Sequence, residues 1–580
     1  MEKIPQSGFA LSLTALYWEK SRKLRAGFFL RWFEQYTVRT MRRQTILANG
    51  TIYSLEREGE CFESMLIGPD GRIKGLYRKG EKPDVDVGGA ETLDLGGKAV
   101  VPAFIDTHTH FMSKAALESL AVNLARLENG RIVPDSLEGV RALLSERAEQ
   151  NRGPIVGFGL CLGALAERRL PRASELDAWF PNRDVVVFSM DGHSSSYSSS
   201  ALKKLGMERM ASDGVLAGEA HEFNMGKVTS FIMKSLNPSV LAQGLSAAVK
   251  EAVDGGIVSI HCLEGTEDKP SDPGMTLFKL AGGRLGLRLK LWMQYTDICK
   301  AGRHAGHLAY HRAGGCLAWE MDGSVSSRTA AFDIDYLDRR DSGKLYRTAN
   351  DAYALVKPFY SAGWQTSAHA IGPRGIESIL SAYERLMDEA NDSENRLRLR
   401  IDHFEFPRPD QVERAGRRRL VLAVQPGFAW ADERFIHSYE EALDPSVRAF
   451  QCPLRQLADA GCIIALSTDA PVQPLNPFIQ IAGAVRHPVP SARLTVYEAL
   501  RAYSWAGAYA AFEEHERGTL AIGKYADFTV LNSDPFSADP DTLHEIQATA
   551  TWHEGRPLAA PPPDLAGFLL RLLTTKGRKL

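Results

Sequence analysis

Histidine and aspartate residues stand where several predicted β-strands end. The run Asp106-Thr107-His108-Thr109-His110 closes one apolar segment. Alternate side chains of a strand point to the same side, so His108 and His110 would have Cα atoms about 6.6 Å apart. Two imidazoles at this spacing can bind one metal ion. Histidine pairs of this kind are common by chance, and the pair alone is weak evidence.

The same placement recurs in three later segments. His369 ends QTSAH, His403 ends RLRIDH and Asp469 ends IIALSTD, each after an apolar strand-like run. In an α/β barrel the carboxyl ends of the strands converge on one mouth, where active sites are built. Imidazole nitrogen and carboxylate oxygen together suit zinc or a similar first-row divalent ion. The pattern therefore predicts a divalent metal centre, with zinc as the expected ion.

The elements that would position these residues alternate between strand and helix over residues 99–514. Alternation of this kind favours parallel pairing in βαβ units. Ten strand candidates are enough for an eight-stranded barrel with additions or for an open doubly wound sheet. Segments 41–98 and 515–560 have strand and turn patterns and could share one small sheet. We expect residues 1–40 to be a helical extension and 561–580 a tail. For residues 1–40, a membrane-surface anchor or a true start at Met41 are alternatives.

Composition excludes several classes of protein. Lys plus Arg number 69 and Asp plus Glu 71, a net charge of -2 that gives no general attraction for nucleic acid or anionic lipid. Seven scattered cysteines without a CxxC motif favour a reducing compartment, and we expect a cytoplasmic protein. No apolar run is long enough to span a membrane. P-loop, dinucleotide-binding, nucleophile-elbow and zincin motifs are absent from the sequence. The expected partner is a small-molecule substrate, with homo-oligomerisation possible.

Several motifs, in this order, resemble those of a known family. VPAFIDTHTHF, SAHAIGPRGIE, RIDHFEF and STDAPV are similar to the metal-ligand motifs of the amidohydrolase superfamily. MDGHSSSYSSSAL, EMDGSVSSRTAAF and GTLAIGKYADFTVLNSDP resemble further segments of its YtcJ-like branch (amidohydrolase family 3), which includes N-substituted formamide deformylase. The resemblance covers nearly the whole chain after Met41. It implies an α/β fold: a distorted (β/α)8 TIM barrel with a small β-sandwich domain formed by the N- and C-terminal segments.

The resemblance also implies roles for the strand-end residues. His108 and His110 would bind one metal ion, and His369 and His403 a second or shared ion. Asp469 would be a ligand that also takes the proton of the attacking water. A divalent ion lowers the pKa of bound water from 15.7 toward about 7, and a nearby carboxylate can accept its proton. We therefore expect a hydrolase that cleaves a carbon-nitrogen bond in an amide, formamide, cyclic amide or amidine.

Two positions depart from the pattern of the branch. A lysine, carboxylated to bridge two metal ions, usually stands four residues before the Asp of the DGS segment, and here that residue is Ala318. Glu320 lies two residues further along the same strand, so it could replace the bridge, or the site could hold one ion with Glu320 only hydrogen-bonded. Pro373 stands where the branch usually has Asp, so we expect a contact to the metal region to be absent.

Three further residues are candidates for binding substrate. His193 follows Asp191-Gly192, and Asp322 and Arg328 lie in the DGS segment. A polar loop residue is an equally good interpretation of His193, and a structural Arg-carboxylate pair is the commoner role for the other two. Two other functions remain open: a barrel that binds a ligand without catalysis, and a deaminase, lactonase or isomerase on the same metal site.

Overall fold

The computed structural model describes residues 44–81, 89–128, 131–150, 152–211, 213–265, 272–306, 308, 310–575 and 577–578. The predicted helical extension over residues 1–40 lies outside the described residues. Within the described part of the chain, every helix is too short or too polar to cross a membrane.

Eight parallel strands form the central barrel. They are β1 Phe104–Thr109, β2 Ile257–Glu264, β3 Arg288–Met293, β4 Arg312–Glu320, β5 Gln365–Ala370, β6 Arg400–His403, β7 Val421–Val424 and β8 Ile463–Leu466. Neighbours in the chain are neighbours in the sheet. The first and last strands meet at the mouth, where Thr109 bridges Ala470 and the Asp469 N–H donates to the His108 carbonyl at 3.0 Å. The barrel is therefore nearly closed, which confirms the expected fold class.

The barrel strands are almost entirely buried, and Val421–Val424 and Ile463–Leu466 are continuous runs of Val, Leu, Ile and Ala, as expected for a parallel sheet. The helices that follow or cover them are Phe111–Leu120, Pro238–Asp254, Pro273–Ala281, Ile298–Ala305, Ala349–Ser361, Pro373–Glu389, Pro409–Arg417, Pro426–Ala431, Ser438–Ala442, Pro445–Arg448, Leu454–Ala460, Pro477–Val485, Val496–Ala502 and Trp505–Ala510. Two of them approach closely at Gly244, where a Cβ atom would lie 1.9 Å from the Ala115 carbonyl oxygen. A side chain at residue 244 would force these helices apart.

Two of the ten strand candidates belong to an insertion between β1 and β2. Ile155–Leu160 and Val185–Ser189 form a five-stranded sheet with Val122–Asn123, Ser194–Tyr197 and Val215–Ala217. The insertion also holds the hairpin Arg126–Glu128/Arg131–Val133 and the helices Leu137–Gln150, Ala173–Trp179, Ser199–Leu205, Glu219–Glu222 and Met225–Ser235. Its residues border the mouth of the barrel, as the cavity lining below shows.

The two ends of the described chain share a small β-sandwich. One sheet joins Thr51–Tyr53, Cys61–Phe62 and Ala99–Pro102 to Phe528–Leu531, Ala548–His553 and Arg556–Pro557. The other contains Thr45–Ala48, Ser64–Ile67, Ile73–Tyr77 and Glu91–Asp94. Leu47, Met65, Phe528 and Trp552 belong to the apolar cluster between them. Ala99–Pro102 thus lies in the sandwich, and the barrel begins at Phe104. The helix Leu565–Thr574 follows the sandwich.

Candidate metal centre

The five strand-end residues meet at the mouth of the barrel. His108 lies on β1 and His110 directly after it, His369 on β5, His403 at the end of β6 and Asp469 after β8. Asp469 Oδ1 lies 3.2 Å from His108 Nε2 and 3.5 Å from His110 Nε2. The His403 ring centroid is 4.9 Å from that of His108 and 4.4 Å from that of His369. Residues up to 361 positions apart in sequence therefore form one cluster.

The spacing and the free atoms of this cluster fit a divalent ion. Ligands bound at 2.0 to 2.1 Å in a tetrahedral site are about 3.4 Å apart, which agrees with 3.2 and 3.5 Å. Asp469 Oδ1 and His403 Nε2 are buried and have no hydrogen-bond partner among the described residues. Buried polar atoms nearly always have a partner. These two atoms therefore have the geometry of metal ligands.

Contacts behind the cluster fix the orientation of the imidazoles. His403 Nδ1 lies 2.8 Å from Gln425 Oε1, and Gln425 Nε2 donates to Ser467 Oγ at 2.9 Å. Because the Gln425 amide accepts with Oε1, His403 Nδ1–H is the donor. The lone pair of His403 Nε2 therefore remains free to bind a metal ion. His369 is turned the other way, because its Nε2 lies 3.2 Å from the Gly323 carbonyl oxygen and its Nδ1 faces the cluster.

The charge states also suit a cation. Burial and neighbouring imidazoles hold the pKa of His369 and of His403 well below its ordinary value, so both rings are neutral. Burial opposes the charged form of Asp469, but the adjacent His108 outweighs this effect and lowers the pKa of the carboxyl. Burial also disfavours His108⁺, yet Asp469 and Asp402 beside it raise the pKa of His108 to about 9. A metal cation would take the place of the proton that these two carboxylates attract.

Strand β4 brings Glu320 to the mouth by a bend. Its register with β5 shifts between Gly315 and Glu320, and Leu317 has a φ of 59°. The expectation that side chains alternate regularly between the two faces of this strand is therefore wrong. Glu320 nevertheless pairs with His369. Its Oε1 accepts the Leu317 N–H at 2.7 Å, whereas its buried Oε2 has no partner among the described residues. Glu320 can thus hold the bend with one oxygen and contact an ion with the other.

Cys316 is a site residue that sequence reasoning missed. Its Sγ lies 3.5 Å from His108 Nε2 and 3.9 Å from His369 Nδ1. A single cysteine in an apolar strand is usually a small core residue, so residue type gave no signal. The preceding Gly314-Gly315 pair was the signal available in the sequence, since glycine inside a strand often marks a bulge. Both glycines have a positive φ, of 110° and 116°.

His193 lies beside the cluster formed by the strand-end residues. Its ring centroid is 5.2 Å from that of His369, and its Nδ1 lies 2.8 Å from Glu222 Oε1. Glu222, which sequence reasoning did not single out, comes from the insertion and is 3 % exposed. Burial would lower the pKa of His193, but Glu222 and the other nearby carboxylates raise it well above its usual value. The insertion therefore adds a partly buried imidazolium-carboxylate pair to the mouth.

Two cavities meet at this cluster. The larger, of about 150 Å³, has a mainly apolar lining that includes Phe158, Phe188 and Met225 of the insertion, together with His193 and Asp469. The smaller, of about 70 Å³, also reaches His193 and Asp469. A substrate could therefore extend to both sides of the metal cluster.

Asp322 and Arg328 lie away from both cavities. The buried Asp322 carboxylate accepts the backbone N–H groups of Ile371 and Gly372 at 2.9 and 2.8 Å. Arg328 donates from Nε to Asp338 at 2.9 Å. Asp322 and Arg328 line neither of these two cavities. The substrate contact predicted for these two side chains is not supported by this placement. Asp322 instead fixes the loop after β5, next to His369.

Comparison with known proteins identifies the family. The sequence profile of the amidohydrolase family matches residues 91–559. The chain belongs to the amidohydrolase family. One relative is the putative amidohydrolase YtcJ of Bacillus subtilis. It is 25% identical to this chain over 544 residues, which cover 88% of this chain and 99% of YtcJ. N-substituted formamide deformylase of Arthrobacter pascens is 23% identical over 547 residues, covering 89% of this chain and 98% of the enzyme.

Solved structures agree on the fold of this amidohydrolase. An uncharacterized metal-dependent hydrolase from Pyrococcus furiosus superposes with a TM-score of 0.66 at 23% identity, covering 85% of this chain and 100% of the other. The solved structure therefore shows the same fold, and the family assignment rests on the sequence profile.

Proposed function

We propose that this chain is a metal-dependent amidohydrolase that cleaves a carbon-nitrogen bond of an amide, formamide, cyclic amide or amidine with water. The main support is the position of Asp469 Oδ1. This atom is buried, has no hydrogen-bond partner among the described residues, and lies 3.2 and 3.5 Å from two imidazole nitrogens. The relative named N-substituted formamide deformylase supports a carbon-nitrogen bond as the target.

His108, His110 and Asp469 would hold one divalent ion, and His369, His403 and Glu320 a second or shared one. Zinc is the proposed metal, because nitrogen and carboxylate ligands suit it. A bound divalent ion polarises a substrate carbonyl and makes water acidic enough to deprotonate near neutral pH.

The protein's own groups would move the proton and hold the substrate. The lowered pKa of Asp469 keeps it ionised at neutral pH, so its carboxylate can accept a proton from the attacking water and return it to the leaving nitrogen. His193, held by Glu222, would donate to the substrate carbonyl oxygen. The apolar lining of the larger cavity would take an apolar substituent and exclude bulk water.

The proposed substrate is a small molecule and the proposed location is the cytoplasm. All seven cysteines are free, which supports a reducing compartment.

A non-catalytic ligand-binding barrel is the second candidate, motivated by Ala318 in place of the bridging lysine. The test is a panel of N-substituted formamides, amides, cyclic amides and amidines, with size-matched esters and lactones, assayed for amine or acid release with Zn²⁺, Mn²⁺ or Co²⁺. We expect metal-dependent amine release that Asp469→Asn abolishes. Turnover of lactones alone would change the reaction class, and metal binding without any turnover would favour the second candidate.

A further inference from the structure

The resemblance to the YtcJ-like branch implies a carboxylated lysine at the position of Ala318, and alanine cannot supply that anionic ligand. The predicted ligands on strands β1, β5, β6 and β8 are four imidazoles and the Asp469 carboxylate. The Ala318 carbonyl oxygen accepts two hydrogen bonds from Arg347, at 3.0 and 2.7 Å, and Ala318 lines neither cavity. Strand β4 brings two other groups to the cluster that become anionic on losing a proton, the Glu320 carboxyl and the Cys316 thiol.

Cys316 stands at the required place. It lies between the two halves of the cluster, with Sγ 3.5 Å from His108 Nε2 and 3.9 Å from His369 Nδ1. Zinc-sulfur and zinc-nitrogen bonds of about 2.3 and 2.05 Å at a tetrahedral angle give a sulfur-nitrogen separation of about 3.6 Å. Both measured separations lie within a few tenths of an ångström of that value.

A second observation concerns the atoms around this sulfur. His403 Nε2 and Glu320 Oε2 are both buried and have no hydrogen-bond partner within the described chain. Cys316, His108 and His403 place one donor atom each within 4.8 Å of one another, and so do Cys316, Glu320 and His369. Cys316 thus lies beside the two residues that carry these atoms, and neither atom has a hydrogen-bond partner among the described residues.

The backbone around Cys316 is fixed on both sides. Its N–H donates to Gln294 Oε1 at 3.0 Å, and the Leu317 N–H donates to Glu320 Oε1 at 2.7 Å. The positive φ of Gly315 and of Leu317 turns the strand at this point. These contacts hold the Cys316 side chain toward the centre of the barrel.

We propose that Cys316 binds the metal as a thiolate and, together with Glu320, supplies anionic ligands from strand β4, the strand that carries the lysine in the YtcJ-like branch. The inference rests on the metal centre of the proposed function, not on its substrate. On binding, the S–H bond breaks, its electron pair forms the sulfur-metal bond and the proton passes to solvent. A thiolate selects zinc or cobalt over magnesium or manganese.

The test is spectroscopy of the full-length protein loaded with Co²⁺. We expect a near-ultraviolet thiolate-to-cobalt charge-transfer band that Cys316→Ser removes and Cys262→Ser keeps. Cys262 is the matched control, because it is fully buried on strand β2, two strands away in the barrel, but belongs to the main apolar core. X-ray absorption of the zinc form should show one sulfur at about 2.3 Å. Cys316→Ser should also weaken zinc binding at least tenfold.

A second measurement needs no variant, because the X-ray absorption spectrum of the native zinc form reports the sulfur ligand directly. A missing charge-transfer band, a band that persists in Cys316→Ser, or a zinc coordination shell without sulfur overturns the proposal. The band without turnover on the amide panel rejects the hydrolase and keeps the thiolate ligand. Turnover without the band does the reverse.

Discussion

Replacing Gln425 by leucine should weaken metal binding without touching a ligand. Gln425 Oε1 accepts from His403 Nδ1 at 2.8 Å, and Gln425 is only 5 % exposed, so water cannot easily replace the amide. Gln425→Leu leaves a buried N–H without an acceptor or lets the proton move to Nε2, the nitrogen that faces the metal. Losing such an orienting contact typically costs 10- to 100-fold in metal affinity. This range corresponds to about 1.4 to 2.7 kcal/mol.

The assay is competition for Zn²⁺ against a chelating dye at constant pH. Gln365→Leu is the matched control, because Gln365 is also buried but starts β5 at the opposite end of the barrel, where its Nε2 donates to carbonyl groups of Arg398 and Ala510. We expect this control to lose thermal stability but keep its zinc affinity. Gln425→Glu, which retains an acceptor, should bind zinc nearly as tightly as the native chain. Equal affinity of Gln425→Leu and the native protein would refute the orienting role.

Three further predictions concern catalysis, pH and packing. Asp469→Asn should lower kcat on any substrate found by about 10²- to 10⁴-fold, because it removes a general base; steady-state kinetics with metal content matched to the native protein measure this. Burial would raise the pKa of Asp527, but Arg517 beside it outweighs burial and holds the pKa well below its usual value. The pair therefore stabilises the fold above about pH 4 and less as the pH falls further, so melting temperatures of Asp527→Asn and native protein should converge in acid. Gly244→Ala should destabilise by about 1 to 3 kcal/mol or more through overpacking, whereas Gly302→Ala should not; thermal melting of both variants checks this.

The packing prediction has its control in the same fold. Gly302 lies inside the helix Ile298–Ala305 with nothing within 4 Å of an added Cβ, so alanine there gains about 0.4 to 1 kcal/mol from reduced unfolded-state entropy. Equal melting temperatures of Gly244→Ala and Gly302→Ala would contradict the close helix contact. For the acid prediction, a stability difference that stays constant from pH 7 to pH 3 would contradict the Asp527 pair.

The sequence by itself determined the elements and the chemistry they carry. All eight barrel strands overlap strand candidates visible in the sequence, because strands of a parallel sheet are rich in apolar residues. The candidate ligands His108, His369, His403 and Asp469 were predicted from their placement where strands end, since parallel strands bring those ends to one mouth. The family follows from the order of the motifs. These features are local in sequence, so they could be predicted.

Only the tertiary structure decided which residues complete the centre. The bend of β4 at Gly315 places Cys316 between histidines of two other strands, and period-two alternation cannot predict a bend. Glu222 reaches His193 from a separate part of the insertion, and the Asp322 carboxylate accepts backbone N–H groups of the loop after β5. Each of these outcomes depends on distances between segments far apart in the chain. Such distances are set by the packing of the whole fold, and the type of a single residue gives no information about that packing.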